Sequence, residues 1–400
     1  MVGYGVVLAV AAVTTWLLGF AVRRAAVRLG AVVLPDDRRV HSRPTPTAGG
    51  AAMFGAVLVA MFVASRMGQF DEVFESSEPL GVLLATGVIF LVGLVDDVRE
   101  VSAPAKLAGQ VLAGSLLTFF GVTMIYFRVP FLDIVSISPD LAPLLTVLWL
   151  VVIANAVNLI DGLDGLAAGI VAIAAGAFFV YGDRLSDVGL LPPGNAGPLV
   201  AIVACGICLG FLPHNFHPAR MFMGDAGSML LGLLMACSTM MVGGRTADQF
   251  SGQTYFFFAP IFIPLFVLGV PIVDTLFAVV RRSVRRASLS APDKEHLHHR
   301  LMRLGHGQRR SVVILWAWTA ILSGLVLVPT FTNEGQAVIP FAGLGLLVAL
   351  YTLFHPGVRQ RAEEEAEARA EADRRLAEQA SIGLASVVEL ADRRREAEGT

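Results

Sequence analysis

The stretch NAVNLIDGLDGLAAG, Asn155–Gly169, decides how this chain is read. It sets two Asn, two Asp and three Gly between apolar runs. Those runs, and others like them along the chain, are about 16 to 26 residues long with almost no charge. That length crosses roughly 30 Å of hydrocarbon. Only 16% of the 400 residues are charged and 55% are hydrophobic, whereas a soluble domain carries roughly a quarter charged residues. The composition therefore predicts an all-α polytopic membrane protein, and the polar stretch interrupts it at a membrane edge.

Working outward gives about eleven transmembrane helices, near 2–22, 48–65, 80–95, 107–127, 141–157, 166–181, 198–213, 228–244, 255–280, 311–329 and 337–354. The first run has no charged residue before it and Arg23 and Arg24 after it, so it reads as a retained span rather than a signal peptide. Pro260, Pro264 and Pro271 predict a kinked ninth span, which neighbouring helices can accommodate. Residues 1–355 are expected to form one transmembrane domain that carries the polar clusters. Residues 356–400, rich in Ala, Glu and Arg, form a charged tail that is helical or disordered.

Orientation follows from charge. Of 30 Lys and Arg, 26 fall in the segments 23–47, 96–106, 158–165, 214–227, 281–310 and 355–400. Cytoplasmic loops are the basic ones, so the N-terminus is placed outside and the C-terminus in the cytoplasm. The polar clusters share that cytoplasmic side, which makes Asn155–Gly169 one wall of a common site. Net charge is −2, which gives no signal for nucleic acid. Cys205, Cys208 and Cys237 lie in apolar runs and read as packing residues, with neither a disulfide framework nor a zinc site.

Each cluster has a plain reading and a chemical one. Asp96 and Asp97 follow FLVGLV. Adjacent carboxylates there repel each other and oppose the helix dipole. They are a solvated helix end, or they meet a cation, or one has a raised pKa and serves as base. Asn158, Asp161 and Asp164 recur every three residues and, if helical, share a drifting face. The plain reading is a cap on the next span by Asp161 or Asp164. No Glu stands where a calcium loop needs one, so an EF-hand is rejected.

FMGDAGS places Asp225 between glycines, and a hard carboxylate suits Mg²⁺ together with substrate phosphates. Asn215 and His217 lie just upstream, and Phe222 is available to stack on a planar ring. HLHHRL brings His296, His298, His299 and Arg300 into a basic loop suited to a diphosphate more than to zinc. Arg281, Arg282, Arg285 and Arg286 equally fit topogenic charge. Asp274 lies inside the ninth span, where acids are costly and functional. PTPTAGG, ending at Gly49-Gly50, offers an anion site at a helix N-terminus.

Acids from several loops, a His/Arg loop and a membrane face together point to phosphate chemistry on a lipid, run mainly by positioning and electrostatics. The chain resembles the polyprenyl-phosphate N-acetylhexosamine-1-phosphate transferases from about residue 20 to 310. The resemblance is carried by HSRPTPTAGG, GLVDDVREVSAPAKLAGQ, NAVNLIDGLDGLAAG, HPARMFMGDAGSMLLG and APDKEHLHHRLMRLG. It implies transfer of a sugar 1-phosphate from a UDP-sugar to a polyprenyl phosphate, undecaprenyl or decaprenyl, at a bacterial plasma membrane with the active site facing the cytoplasm. PDKEHLHHRL looks like the UDP-GlcNAc branch, not the branch acting on UDP-MurNAc-pentapeptide.

The resemblance implies Mg²⁺, with Mn²⁺ able to substitute, on Asp225 with Asp96. It implies Asp96, Asp97, Asp161 and His296 as catalytic residues. Asn158, Asp164, Asn215, Phe222, His298, His299 and Arg300 are implied as substrate-binding residues, Phe222 on uracil and Asp164 on the base. The family's acidic motif reads DDxxD, and Glu100 stands fifth here, which puts a direct role for that position in doubt. A homodimer is left open. The rival outside the family is a secondary transporter, which would place its acids near the midplane and show inverted repeats; neither is present in the pattern.

Overall fold

The computed structural model describes residues 1–33, 44–99, 101–129, 132–243, 307–332 and 335–354. The expected ninth span 255–280, the loop with His296, His298, His299 and Arg300, residues Asp274 and Glu100, and the tail 356–400 lie outside the described residues.

The described chain is almost entirely helical. Helix α1 runs Val2–Leu29, α2 Gly49–Ala64, α3 Asp71–Glu75, α4 Glu78–Val98, α5 Ala103–Phe119, α6 Ala142–Ile160, α7 Leu166–Asp187, α8 Gly197–Asn215 and α9 Gly224–Gly243, followed by helices Gln308–Thr332 and Ile339–Phe354. Six of them, α1, α4, α6, α7, α8 and α9, are long and apolar enough to cross a membrane, and α2 with its sharply bent continuation makes a seventh. The chain is thus a multi-pass membrane protein. Exposed Trp16, Leu17, Leu91, Leu144 and Leu148 form the apolar exterior that lipid requires.

Local sequence sets the boundaries. Proline opens α4, α5, α6 and α8 within their first two positions, where its missing N–H costs nothing. Gly30 closes α1 in a left-handed conformation, its N–H reaching back to Ala26 and Val27 carbonyls.

Several expectations are corrected. The fourth span was expected over 107–127. Helix α5 instead starts at Ala103 behind Ser102 and stops at Phe119, ahead of Gly121 with its φ of +89°. The chain then forms an antiparallel ribbon, β3 Tyr126–Val129 with β4 Leu132–Ser136. A second small ribbon joins β1 Val32–Val33 to β2 Thr45–Pro46. The all-α expectation therefore holds for the membrane body but not for these edges. After α2 the segment Gly68–Glu75 turns off it by 94°. The helical face expected for Asn158, Asp161 and Asp164 stops after Asn158, because α6 ends at Ile160 and a turn follows.

Helix α9 is the central pillar. Every residue from Ala226 to Gly243 is buried, and α2, α4, α6 and α8 pack around it. Such close approach needs bare backbone. A Cβ on Gly93 of α4 would collide with the Ala226 backbone, and one on Gly50 of α2 with Gly227 N. In lipid, where apolar surface gains nothing by leaving the solvent, this small-residue contact is a main source of helix association.

Gly93→Ala should lower the thermal unfolding midpoint in detergent, by an overpacking cost of about 1–3 kcal/mol. Gly5→Ala on α1, whose Cβ would meet nothing within 4 Å, should leave the midpoint unchanged or raise it. Equal midpoints for the two variants would remove the α4–α9 contact as a stabilising feature.

Candidate active site

The helix ends bring the polar clusters to one end of the bundle. The C-termini of α4, α6 and α8 meet the N-termini of α2, α5, α7 and α9 there. The centre is the first turn of α9. Gly224 takes φ 70°, and a Cβ there would strike the Asp97 carboxylate. Asp97 Oδ1 accepts from Asp225 N at 2.8 Å and Oδ2 from Ala226 N at 3.1 Å. A residue of α4 thus caps α9 from outside, on the positive end of its dipole. This resolves the repulsion expected at Asp96-Asp97: each carboxylate has its own counter-dipole or counter-charge.

Asp96 turns the other way. Its Oδ1 accepts from Val101 N at 2.8 Å, and its Oδ2 pairs with Lys106 Nζ at 2.5 Å. The same ammonium donates to Asp225 Oδ2 at 2.6 Å. Asn158 Nδ2 donates to that oxygen at 3.4 Å, while Asn158 Oδ1 accepts from Ser228 Oγ at 2.6 Å. Two carboxylates from α4 and α9 therefore converge on one cation supplied by α5. Among the described residues no three His, Cys, Asp or Glu side chains group as a metal cage. The pair Asp96–Asp225 nevertheless presents hard oxygens to a positive charge, the donor chemistry a Mg²⁺ shared with substrate phosphates needs.

Asp161 stands just past α6 beside this cluster. Burial pushes its carboxyl up to about 8, and the charges of Asp225, Asp97 and Asp164 add to the rise. An acid poised there exchanges a proton near neutral pH.

The second cluster lies at the start of α7. Asp164 is buried; its Oδ2 meets His217 Nδ1 at 2.7 Å and accepts from Ala219 N at 3.0 Å. Asn215 Oδ1 accepts from Gly165 N at 2.9 Å and its Nδ2 donates to Met221 O at 3.1 Å. Neither Asp161 nor Asp164 caps α7, since Gly165 is its N-cap and takes no side-chain cap. The amide of Asn215 ties the loop 216–221 to α7. Phe222 follows on a backbone track held to PTPTAGG: Phe222 N donates to Pro46 O, and Gly49 N and Gly50 N donate to the carbonyls of Phe222 and Met223, all at 2.9 Å. Those amides are therefore spent within the protein, and the anion site expected at the α2 N-terminus is not formed.

The structure thus gathers Asp96, Asp97, Asp225 and Asn158, sets Asp161 within their field, and places Asp164, Asn215 and Phe222 along the adjoining loop. Lys106 was missed as a site residue. Its signal was in plain view: the chain has two Lys against 28 Arg, and one of them follows the Asp pair by ten residues.

Together these features define a multi-pass helical membrane protein with a carboxylate–lysine cluster at one end of its bundle. The sequence profile described as glycosyl transferase family 4 matches residues 79–243, from α4 through α9. The chain is 38% identical over 360 residues to the decaprenyl-phosphate N-acetylglucosaminephosphotransferase of Mycolicibacterium smegmatis, across 88% of this chain and 87% of that protein. It is 35% identical over 307 residues to the probable undecaprenyl-phosphate N-acetylglucosaminyl 1-phosphate transferase of Bacillus subtilis, across 77% and 79%. A phospho-N-acetylmuramoyl-pentapeptide-transferase of Moorella thermoacetica is 34% identical over 348 residues, across 80% and 97%, and stands further off. The chain belongs to glycosyl transferase family 4 and is an enzyme of that family.

Removing the α9 cap by Asp97→Ala should cost about 1–2 kcal/mol, read as a lower unfolding midpoint, with Asp97→Asn in between. For Asp161 the charged form is the disfavoured one in the fold. The stability it lends is full below the ordinary aspartate range, about 4, and is lost as pH rises through about 8. Without divalent cation, the unfolding midpoint of the wild type should fall across that window relative to Asp161→Asn. Parallel pH curves would remove the raised carboxyl.

Proposed function

We propose that this enzyme transfers GlcNAc 1-phosphate from UDP-GlcNAc to a polyprenyl phosphate, forming polyprenyl-diphospho-GlcNAc and UMP, the first membrane step of a cell-envelope polysaccharide. The observation that carries this reading is the convergence of Asp96 and Asp225 on one cation at a membrane end, in a chain whose relatives carry the acceptor lipid and the GlcNAc phosphotransfer in their names. The greater distance of the muramoyl-pentapeptide enzymes supports the GlcNAc branch.

Asp225 and Asp96 would hold Mg²⁺, which when bound supplies charge neutralisation for the diphosphate. Lys106 is placed to add positive charge to the same diphosphate. Asn158 orients Asp225, and Asp97 fixes the α9 turn that presents it. Asp161, held largely protonated near neutral pH, is positioned as the group that exchanges a proton with the acceptor phosphate. Phe222 offers its ring to the uracil, and Asp164, held by His217 and Ala219 N, lines that end of the site. His296, His298, His299 and Arg300 belong to the same proposal as the basic loop over the phosphates.

The reading includes eleven spans, an outside N-terminus, and a site open to the cytoplasm of a bacterial plasma membrane. The one-sided distribution of 26 of the 30 basic residues supports it, as does the gathering of the acids at one end of the bundle.

Purified protein given UDP-GlcNAc, a polyprenyl phosphate and Mg²⁺ should yield polyprenyl-diphospho-GlcNAc by mass spectrometry, with release of UMP. Turnover confined to UDP-MurNAc-pentapeptide would overturn the assignment. Asp225→Asn should lose the Mg²⁺-dependent release of UMP while staying folded; wild-type turnover by that variant would remove Asp225 from the mechanism.

A further inference from the structure

We propose that Gln110 and Asn155 are positioning residues that set Lys106 between Asp96 and Asp225; the catalytic side of this inference rests on the transfer reading above. Asn155 opens the stretch that defined the fold, yet among the described residues its side chain bonds to none of the acids. Its Nδ2 donates to Gln110 Oε1 at 2.8 Å and to Val151 O at 2.7 Å. Gln110 is buried, and its Nε2 reaches Met229 Sδ at 3.6 Å.

These three residues repeat the site one helical turn deeper. On α5 Gln110 follows Lys106 by four residues, on α9 Met229 follows Asp225 by four, and on α6 Asn155 precedes Asn158 by three. Four residues advance a helix by about 6 Å and return to the same face. So the helices that supply the ammonium, the carboxylate and the orienting amide are bonded to one another directly beneath those groups. The link matters most for α5. Asp225 is already held by the Asp97 cap on its own turn and Asn158 by Ser228. Lys106 sits on a long, flexible side chain at the start of a helix whose first turn is exposed. The buried amide bond fixes the height and rotation of α5, and with it the place from which the ammonium reaches both carboxylates. In a low-dielectric interior such a bond has few competitors.

The test replaces both amides with apolar groups of similar shape, Gln110→Met/Asn155→Leu, since removing both partners leaves no buried orphan. Two readouts are taken on the full-length protein. The first needs no turnover: competitive amine labelling followed by mass spectrometry, with Lys294, the other lysine of the chain, as internal reference. Released from its two carboxylates, Lys106 should label several-fold faster relative to Lys294 than in the wild type. An unchanged ratio overturns the proposal. Asn155→Ser, which withdraws the donor from Gln110 while keeping a polar group, gives the same readout if the apolar pair fails to assemble.

The second readout is kinetic, because a misplacement of about 1 Å costs up to about 100-fold in rate. The paired variant should lose about tenfold or more in kcat for UMP release with KM for UDP-GlcNAc within about twofold. In a Lys106→Ala background the same pair should change kcat by less than about twofold, as expected for residues acting through one group. Equal losses in both backgrounds would show a general packing role and overturn the proposal. Absence of UMP release from UDP-GlcNAc by the wild type counts against the transfer reading, while the labelling ratio still decides the positioning.

Discussion

When Asp97 reaches from α4 to accept from Asp225 N and Ala226 N, it joins two problems that a membrane enzyme must solve together. The orphan donors at the start of a fully buried helix need acceptors, and water is scarce there. A carboxylate at the end of α4 needs compensation, since the dipole of its own helix opposes it. Each group satisfies the other. The bond also fixes where Asp225 points, so the fold and the site are determined by one contact. Gly93 and Gly50 permit it, because only bare backbone lets α4 and α2 approach the first turn of α9 closely enough.

Around that contact the charges are arranged by direction rather than by number. Asp96 and Asp225 face the ammonium of Lys106, Asp97 faces backbone N–H groups, and Asp161 lies in the field of Asp225, Asp97 and Asp164. Four acids side by side thus meet different partners within one small volume.

Much of this was legible in the sequence. Charge-free runs gave the spans, and α1, α4, α6, α7, α8 and α9 fall on them because length and hydropathy are properties of each segment alone. The acidic motifs marked the right end of the bundle for the same reason. What escaped depends on contacts between distant segments. That Asp97 also caps α9 shows only once that helix approaches α4. Gly49 and Gly50 looked like an anion site until the carbonyls of Phe222 and Met223 filled it. That the Asn215 amide ties Gly165 at the start of α7 to Met221 likewise depends on segments distant in sequence. Lys106 passed as one more basic residue, although its rarity set it apart. The ribbon Tyr126–Ser136 was hidden because its alternation is short and adjoins an apolar run.

The pairing of PTPTAGG with the Phe222–Met223 backbone has a consequence for substitution at position 222. The track of this segment is set by main-chain bonds to Pro46, Gly49 and Gly50, none of which involves the ring at position 222. A change of side chain at 222 leaves those main-chain bonds in place. The first turn of α9, which starts two residues further on at Gly224, therefore keeps its main-chain tether to α2 whichever side chain stands at 222.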